Sequence, residues 1–200
     1  MLKKTAPIVT ILAALLLSTG CASSNTQASN TAAAQQANVF VPLYEAIGRR
    51  LALATDVAAA KFATQAPVEN LAQEANVVNA AKAKAEPLGI DGAEVVLVMR
   101  NQIDASKILQ NANIALWTSD PGSARTSYPP LTSTRDRLTV ETDAIIGALA
   151  ATTAERHAAT CSARAAEARN AVFNGSNATL RNIAEKAIDA ATASICVNRS

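Results

Sequence analysis

Aromatic residues are nearly missing from this chain: three Phe, two Tyr and one Trp in 200 residues, or 3%. Sheets draw on aromatic and β-branched side chains, so a β-rich fold is disfavoured. Glycine and proline are scarce too, at seven each, which leaves long segments without a turn signal. The single histidine, His157, and the absence of any Cys-x-x-Cys spacing leave no ligand set for a metal. Charge of one sign is also lacking. With 18 basic and 16 acidic residues the net charge is +2, and no basic run alternates with aromatics, so the composition does not point to nucleic acid.

What is present is alanine, which supplies much of the 50% hydrophobic content. Alanine has the highest helical propensity and leaves room between backbones, so the composition predicts an all-α fold of long helices packed through small residues. A chain of this length can form one domain with a real core, or a small domain plus a tail.

The first residues read as an export signal. Lys3 and Lys4 precede an apolar run from Ala6 to Leu17, too short for a comfortable membrane span. The run ends in Leu17-Ser18-Thr19-Gly20-Cys21, similar to a bacterial lipoprotein processing site, except that Ser18 stands where an aliphatic residue is usual. Two readings stay open for residues 1–21: acylation of Cys21, or ordinary signal cleavage. Residues 22–38 are polar, small and aperiodic, and read as a tether. Residues 39–200 then form the folded domain. With Cys21 acylated or removed, Cys161 and Cys196 are left in an oxidising compartment, and a disulfide between them is expected.

Within the domain, Leu43, Ile47, Leu51 and Val57 recur at helical spacing in a first helix that should stop before Pro67. Inside it lies RRLALATDVAAAK, Arg49 to Lys61. Arg50 and Lys61 are eleven residues apart. At about 100° per residue they return to within roughly 20° of one another, so both cations leave one face about three turns apart. A second helix is expected over residues 68–85, with Leu71, Val77, Val78 and Ala81 as core candidates and Asn70, Gln73, Glu74 and Val77 on one stripe. Asp91, followed by Glu94 at capping-box spacing, opens a third and most apolar helix that runs to about Trp117. Ser106 and Gln110, four apart, are neighbours on its face beside residues expected to be buried. Polar groups so placed need partners, either a neighbouring helix or a ligand. Residues 118–130 read as a loop. A fourth helix starts at Thr132 to Thr134, whose hydroxyls can cap it. Arg135 then falls in the first turn, against the helix dipole, a placement suited to holding an anion. A bend is expected over residues 152–157. Asn174-Gly175-Ser176 reads as a turn, and Asn177 as the cap of a last helix that carries Cys196.

The ordered set RLALATDVAAAKFATQAPVEN, NQIDASKILQ and LTSTR, together with the cysteine pair, resembles the exported subclass of all-helical chorismate mutases over residues 43–196. The resemblance implies a type II-like bundle of five to six helices, conversion of chorismate to prephenate without a cofactor, and a homodimer. It implies that Arg50 and Arg135 clamp the substrate carboxylates and that Ser106 assists. Lys61 would reach a carboxylate and the ether oxygen, and Gln110 would donate to that oxygen. In cytoplasmic relatives a dimer partner supplies one arginine; here the position of Arg135 matches the later helix that replaces it. The chain also departs from the pattern. Gln73 stands where an arginine is usual and Val77 where a polar contact is usual, whereas Glu74 matches the carboxylate that receives the substrate hydroxyl. Those two departures favour the alternative, a non-catalytic helical binding protein for a dicarboxylate or a protein partner.

Overall fold

The computed structural model describes residues 38–174 and 178–197. The signal, Cys21 and the tether up to Ala37 lie outside them, as do residues 175–177 of the expected turn and cap. Among the described residues there is no strand. The α-helices are α1 Val41–Ala52, α2 Ala54–Thr64, α3 Leu71–Ala85, α4 Gly92–Ser119, α5 Leu131–Ala151, the single turn α6 Thr153–Arg156, α7 Cys161–Phe173 and α8 Ala178–Thr192.

The expected first helix is two rods that meet at Leu53, whose N–H bonds to Arg50 O at 3.2 Å, one residue short of the α-helical partner. Such a tightened turn bends a helix without breaking it. α2 ends three residues before Pro67, with Gln65 in the left-handed region (φ 53°) and Ala66 N–H bonded back to Lys61 O. α3 begins at Leu71, later than its apolar pattern suggests, because Asn70 caps it. The Asn70 side chain accepts from Gln73 N–H at 3.0 Å, and Glu74 accepts from Asn70 N–H at 3.2 Å. Leu71, expected in the core, is 70% exposed on the first turn.

The core gathers Leu43 and Ile47 of α1, Val95, Val98 and Met99 of α4, Ile145, Ile146 and Leu149 of α5, and Ile195 beyond α8. α4 runs through the middle and packs on α2, α3 and α8; α1 packs on α5 and α7. Ala187 and Ala191 are fully buried where α8 meets α4, the close approach that small side chains allow. At Gly48 an added Cβ would stand 3.1 Å from the Phe173 ring, which packs edge-on against Tyr44.

Three expectations about helix ends are corrected. Asp91 does cap α4, through Ala93 N–H, but Glu94 turns away to Arg156 and His157 instead of closing a capping box. α5 starts at Leu131 after Pro130, with no side-chain cap; Thr134 bonds back to the Pro130 carbonyl instead. Arg135 is therefore the fifth residue of its helix, beyond the first turn, and the dipole there is too weak to explain its presence. The Cys161–Cys196 disulfide is formed, with Cα atoms 5.8 Å apart. Cys196 lies past the end of α8, so the bridge ties the start of α7 to the segment after α8.

Candidate active site

Between α1/α2, α3 and α5 lies a cavity of about 360 Å³, and an inner cavity of about 110 Å³ adjoins it toward α4. Arg50, Val57, Lys61, Asn70, Gln73, Val77 and Leu138 line both. Arg135 lines only the outer cavity, and Glu74, Ser106 and Gln110 only the inner one. Every residue expected at the site thus lines one or both of these neighbouring cavities, although the set spans 86 positions, from Arg50 to Arg135.

Arg50 is 4% exposed. Its Nε donates to Thr142 Oγ1 at 3.3 Å and its Nη1 to the Gln102 carbonyl at 3.2 Å. No carboxylate comes within ion-pair distance of it among the described residues. Burial lowers its pKa to about 10, so it remains charged at neutral pH but at a cost of roughly 3 kcal/mol. A buried guanidinium with neutral partners only is poised for an external anion.

Lys61 donates to the Val68 carbonyl at 2.5 Å, a contact made possible by the turn at Gln65. Burial lowers its pKa; Glu74 opposes this, while Arg135 and Lys107 add to it. Arg135 is exposed at the rim. Across the two cavities five cations (Arg50, Lys61, Lys84, Arg135, Lys107) face two carboxylates (Glu74, Asp143). Lys84 pairs with Asp143 and Lys107 with Glu74. That leaves Arg50, Lys61 and Arg135 without carboxylates of their own among the described residues, in a space otherwise walled by Val57, Val77, Leu131 and Leu138.

On α4, Gln110 Nε2 donates to Ser106 Oγ at 3.0 Å, the four-residue contact their spacing suggests. Gln110 Oε1 is buried with no hydrogen-bond partner among the described residues. A half-turn of the amide would let the Ser106 hydroxyl donate to Oε1 and free the NH2 for another partner. Among the described residues Gln73 makes no side-chain hydrogen bond; only its backbone N–H is engaged, and its side chain brings a neutral amide.

Sequence reasoning missed several residues. Thr142, which holds Arg50, lies seven residues after Arg135, two turns along the same face; extending the stripe would have found it. Asn70 was visible as a helix start, a polar residue four before Glu74. Lys107 is three residues from Gln110 and shares its face. The Lys84–Asp143 pair joins two helices and carried no local signal.

These features define a cation-lined site between helices, able to hold a small anion, whose described residues come from α1 to α5. The family model of chorismate mutase type II matches residues 42–111, which include Arg50, Lys61, Gln73, Ser106 and Gln110 and stop before Arg135. The secreted chorismate mutase of Mycolicibacterium smegmatis is 36% identical over 107 residues, 54% of this chain and 59% of that protein. That of Yersinia pestis is 40% identical over 88 residues, 44% of this chain and 46% of that one. The chain thus spans about half the length of these curated relatives. The crystal structure of chorismate mutase from Burkholderia phymatum superposes with a TM-score of 0.73 at 30% identity, covering 80% of this chain and 98% of that one. The chain belongs to the chorismate mutase type II family.

Proposed function

We propose that this protein is an exported chorismate mutase, an isomerase that rearranges chorismate to prephenate. The observation that carries the reading is the convergence of Arg50, Lys61 and Arg135, without carboxylate partners, on a cavity whose inner wall bears Ser106 and Gln110. Chorismate is a dicarboxylate that rearranges in one concerted step, with no nucleophile, proton shuttle or metal. A protein can accelerate such a step by holding the compact reactive conformer and by stabilising negative charge on the ether oxygen as its bond breaks. Arg50 and Arg135 would hold the carboxylates with the planar donor geometry of guanidinium. Lys61 and the Gln110 amide would donate toward the ether oxygen, Ser106 would assist a carboxylate, and Glu74 would accept the substrate hydroxyl.

Export is supported by Lys3, Lys4 and the apolar run that follows, and by relatives named as secreted. We place the mature protein in the periplasm or outside the cell, anchored through Cys21 if that residue is acylated. No helix among the described residues is long and apolar enough to cross a membrane. We also propose a homodimer, with sedimentation as its test.

The decisive measurement follows chorismate disappearance by absorbance, using disulfide-oxidised protein lacking residues 1–37. Turnover well above the spontaneous rate that is lost in Lys61→Ala is the expected outcome. A folded protein with no turnover would refute the mutase reading. Chorismate binding that is lost in Lys61→Ala would then assign the binding-protein alternative.

A further inference from the structure

Lys107 is the one cation that α4 contributes to the inner cavity, and the reading above gives it no role. Its neighbours on that helix are the two polar groups assigned to the substrate: Ser106 directly before it and Gln110 three residues on. Its ammonium stands 3.2 Å from Glu74 Oε2 and 3.2 Å from Asp104 Oδ1, with Glu69 Oε1 at 3.9 Å, beyond hydrogen-bond reach. An ammonium has three donors, and among the described residues these two carboxylates take two of them, leaving a third without a partner.

The three carboxylates are not equivalent. Glu69 and Asp104 are 65% and 62% exposed, so solvent can take them over with little loss, as for most surface pairs. Glu74 is largely buried and fixed at both oxygens, by Lys107 on one and the Asn70 N–H on the other. Lys107 is thereby held at the cavity wall by a residue that itself lines the site. Burial works against its charge, but hydrogen bonds and charge from Glu74 and Asp104 outweigh this and raise its pKa, so it stays an ammonium through neutral pH. Opposite it on α3, Gln73 offers the same cavity no charge.

We infer that Lys107 is a substrate-binding cation of this site: its free N–H bonds a carboxylate of the bound dianion from the α4 side, supplying charge that α3 does not, while Glu74 holds the ammonium in place and accepts the substrate hydroxyl. This rests on the mutase reading. The arrangement differs from an arginine on α3 in one testable respect. The cation and the hydroxyl acceptor come from facing helices and are joined by an ion pair, so losing Lys107 both removes a contact and frees Glu74.

The test compares steady-state kinetics on chorismate for the unmodified protein, Lys61→Ala, Lys107→Gln, Lys107→Arg and Lys107→Gln combined with Gln73→Arg, with circular dichroism and melting temperature for each. Lys107→Gln is expected to raise KM at least tenfold with kcat within about threefold, the range for one lost charge-assisted contact. Lys107→Arg should retain most of the affinity. Gln73→Arg in the Lys107→Gln background should recover most of the lost affinity by returning a cation to the same cavity from the other helix. A Lys107→Gln protein whose KM changes less than threefold overturns the inference while the mutase reading stands. So does a raised KM that follows a drop in melting temperature and is not recovered by Gln73→Arg, which would make Lys107 structural. If the unmodified protein shows no turnover above the spontaneous rate, the mutase reading fails, and this inference with it.

Discussion

Among the described residues two arginines are buried, and they are buried differently. Arg156 is wholly inaccessible, with Nη2 on Glu94 Oε2 at 2.9 Å and Nε on the Ile195 carbonyl at 2.9 Å. Its own carbonyl accepts from Val197 N–H, and the disulfide lies beside it. Arg50 is almost as buried yet meets only a hydroxyl and a carbonyl, at 3.3 and 3.2 Å. One arginine has its counterion in the chain, where it ties the start of α4 to the C-terminal segment. The other faces a cavity. A buried charge paired within the chain has its desolvation cost offset there, whereas one left without a counterion keeps that cost and is best explained by an anion from outside.

This contrast can be broken experimentally. The largest effect is expected for Arg50→Met: turnover should fall at least a thousandfold, about 4 kcal/mol in the barrier, with the melting temperature unchanged or raised. A clear drop in melting temperature would show that Arg50 is structural as well. Arg156→Met should do the reverse, lowering stability by about 1 to 3 kcal/mol in denaturant titration because the Ile195 carbonyl loses its donor and Glu94 keeps only His157 beside it, with KM unaltered in the folded fraction. Removing the disulfide by Cys161→Ser with Cys196→Ser should cost about 3 to 4 kcal/mol by the chain-entropy argument for its 35-residue separation. A much smaller loss would mean that the Arg156 contacts already fix this corner.

Asp56 sharpens the comparison from the site's side. Its carboxylate, on α2, takes Arg125 of the loop after α4 and Arg137 of α5, the latter at 3.3 Å. That clamp fixes α5, and with it Arg135, against the helix that carries Lys61. Asp56→Asn should raise KM several-fold with little change in kcat, worth about 1 kcal/mol as expected for partly exposed pairs. An unchanged KM would separate the clamp from the site.

The smallest effect is with pH. Gln110 carries no proton to lose, so turnover should vary little from mildly acidic to neutral pH; a several-fold loss there would remove Gln110 from its role. On the alkaline side, kcat/KM should fall earlier than an ordinary lysine would dictate. Lys61 must be charged to act, burial lowers its pKa, and the ammonium is lost as pH rises through that lowered value. A bound dianion opposes the loss, so kcat should fall later than kcat/KM.

Much of the fold was legible in the residues, and the failures have physical causes. Arg50 and Lys61 were found because eleven residues is close to a whole number of turns, and the mild bend at Leu53 leaves both on the cavity. Leu71 was misjudged because periodicity marks a face but not whether another helix covers it. Arg135 was found by resemblance, whereas the dipole argument for it failed, since Pro130 rather than a hydroxyl sets the helix start. Glu94 fitted a capping box by spacing and was taken instead by Arg156, 62 residues away.

The sequence by itself determined what is local and periodic: helices from alanine-rich segments with few breakers, the cysteine pair once Cys21 is set aside, and the cations that share a face. Only the tertiary structure decided which charges are paired. Arg50 and Arg156 look alike along the chain. Whether a carboxylate stands beside a guanidinium depends on contacts between helices 52 to 92 residues apart, and no local pattern encodes these.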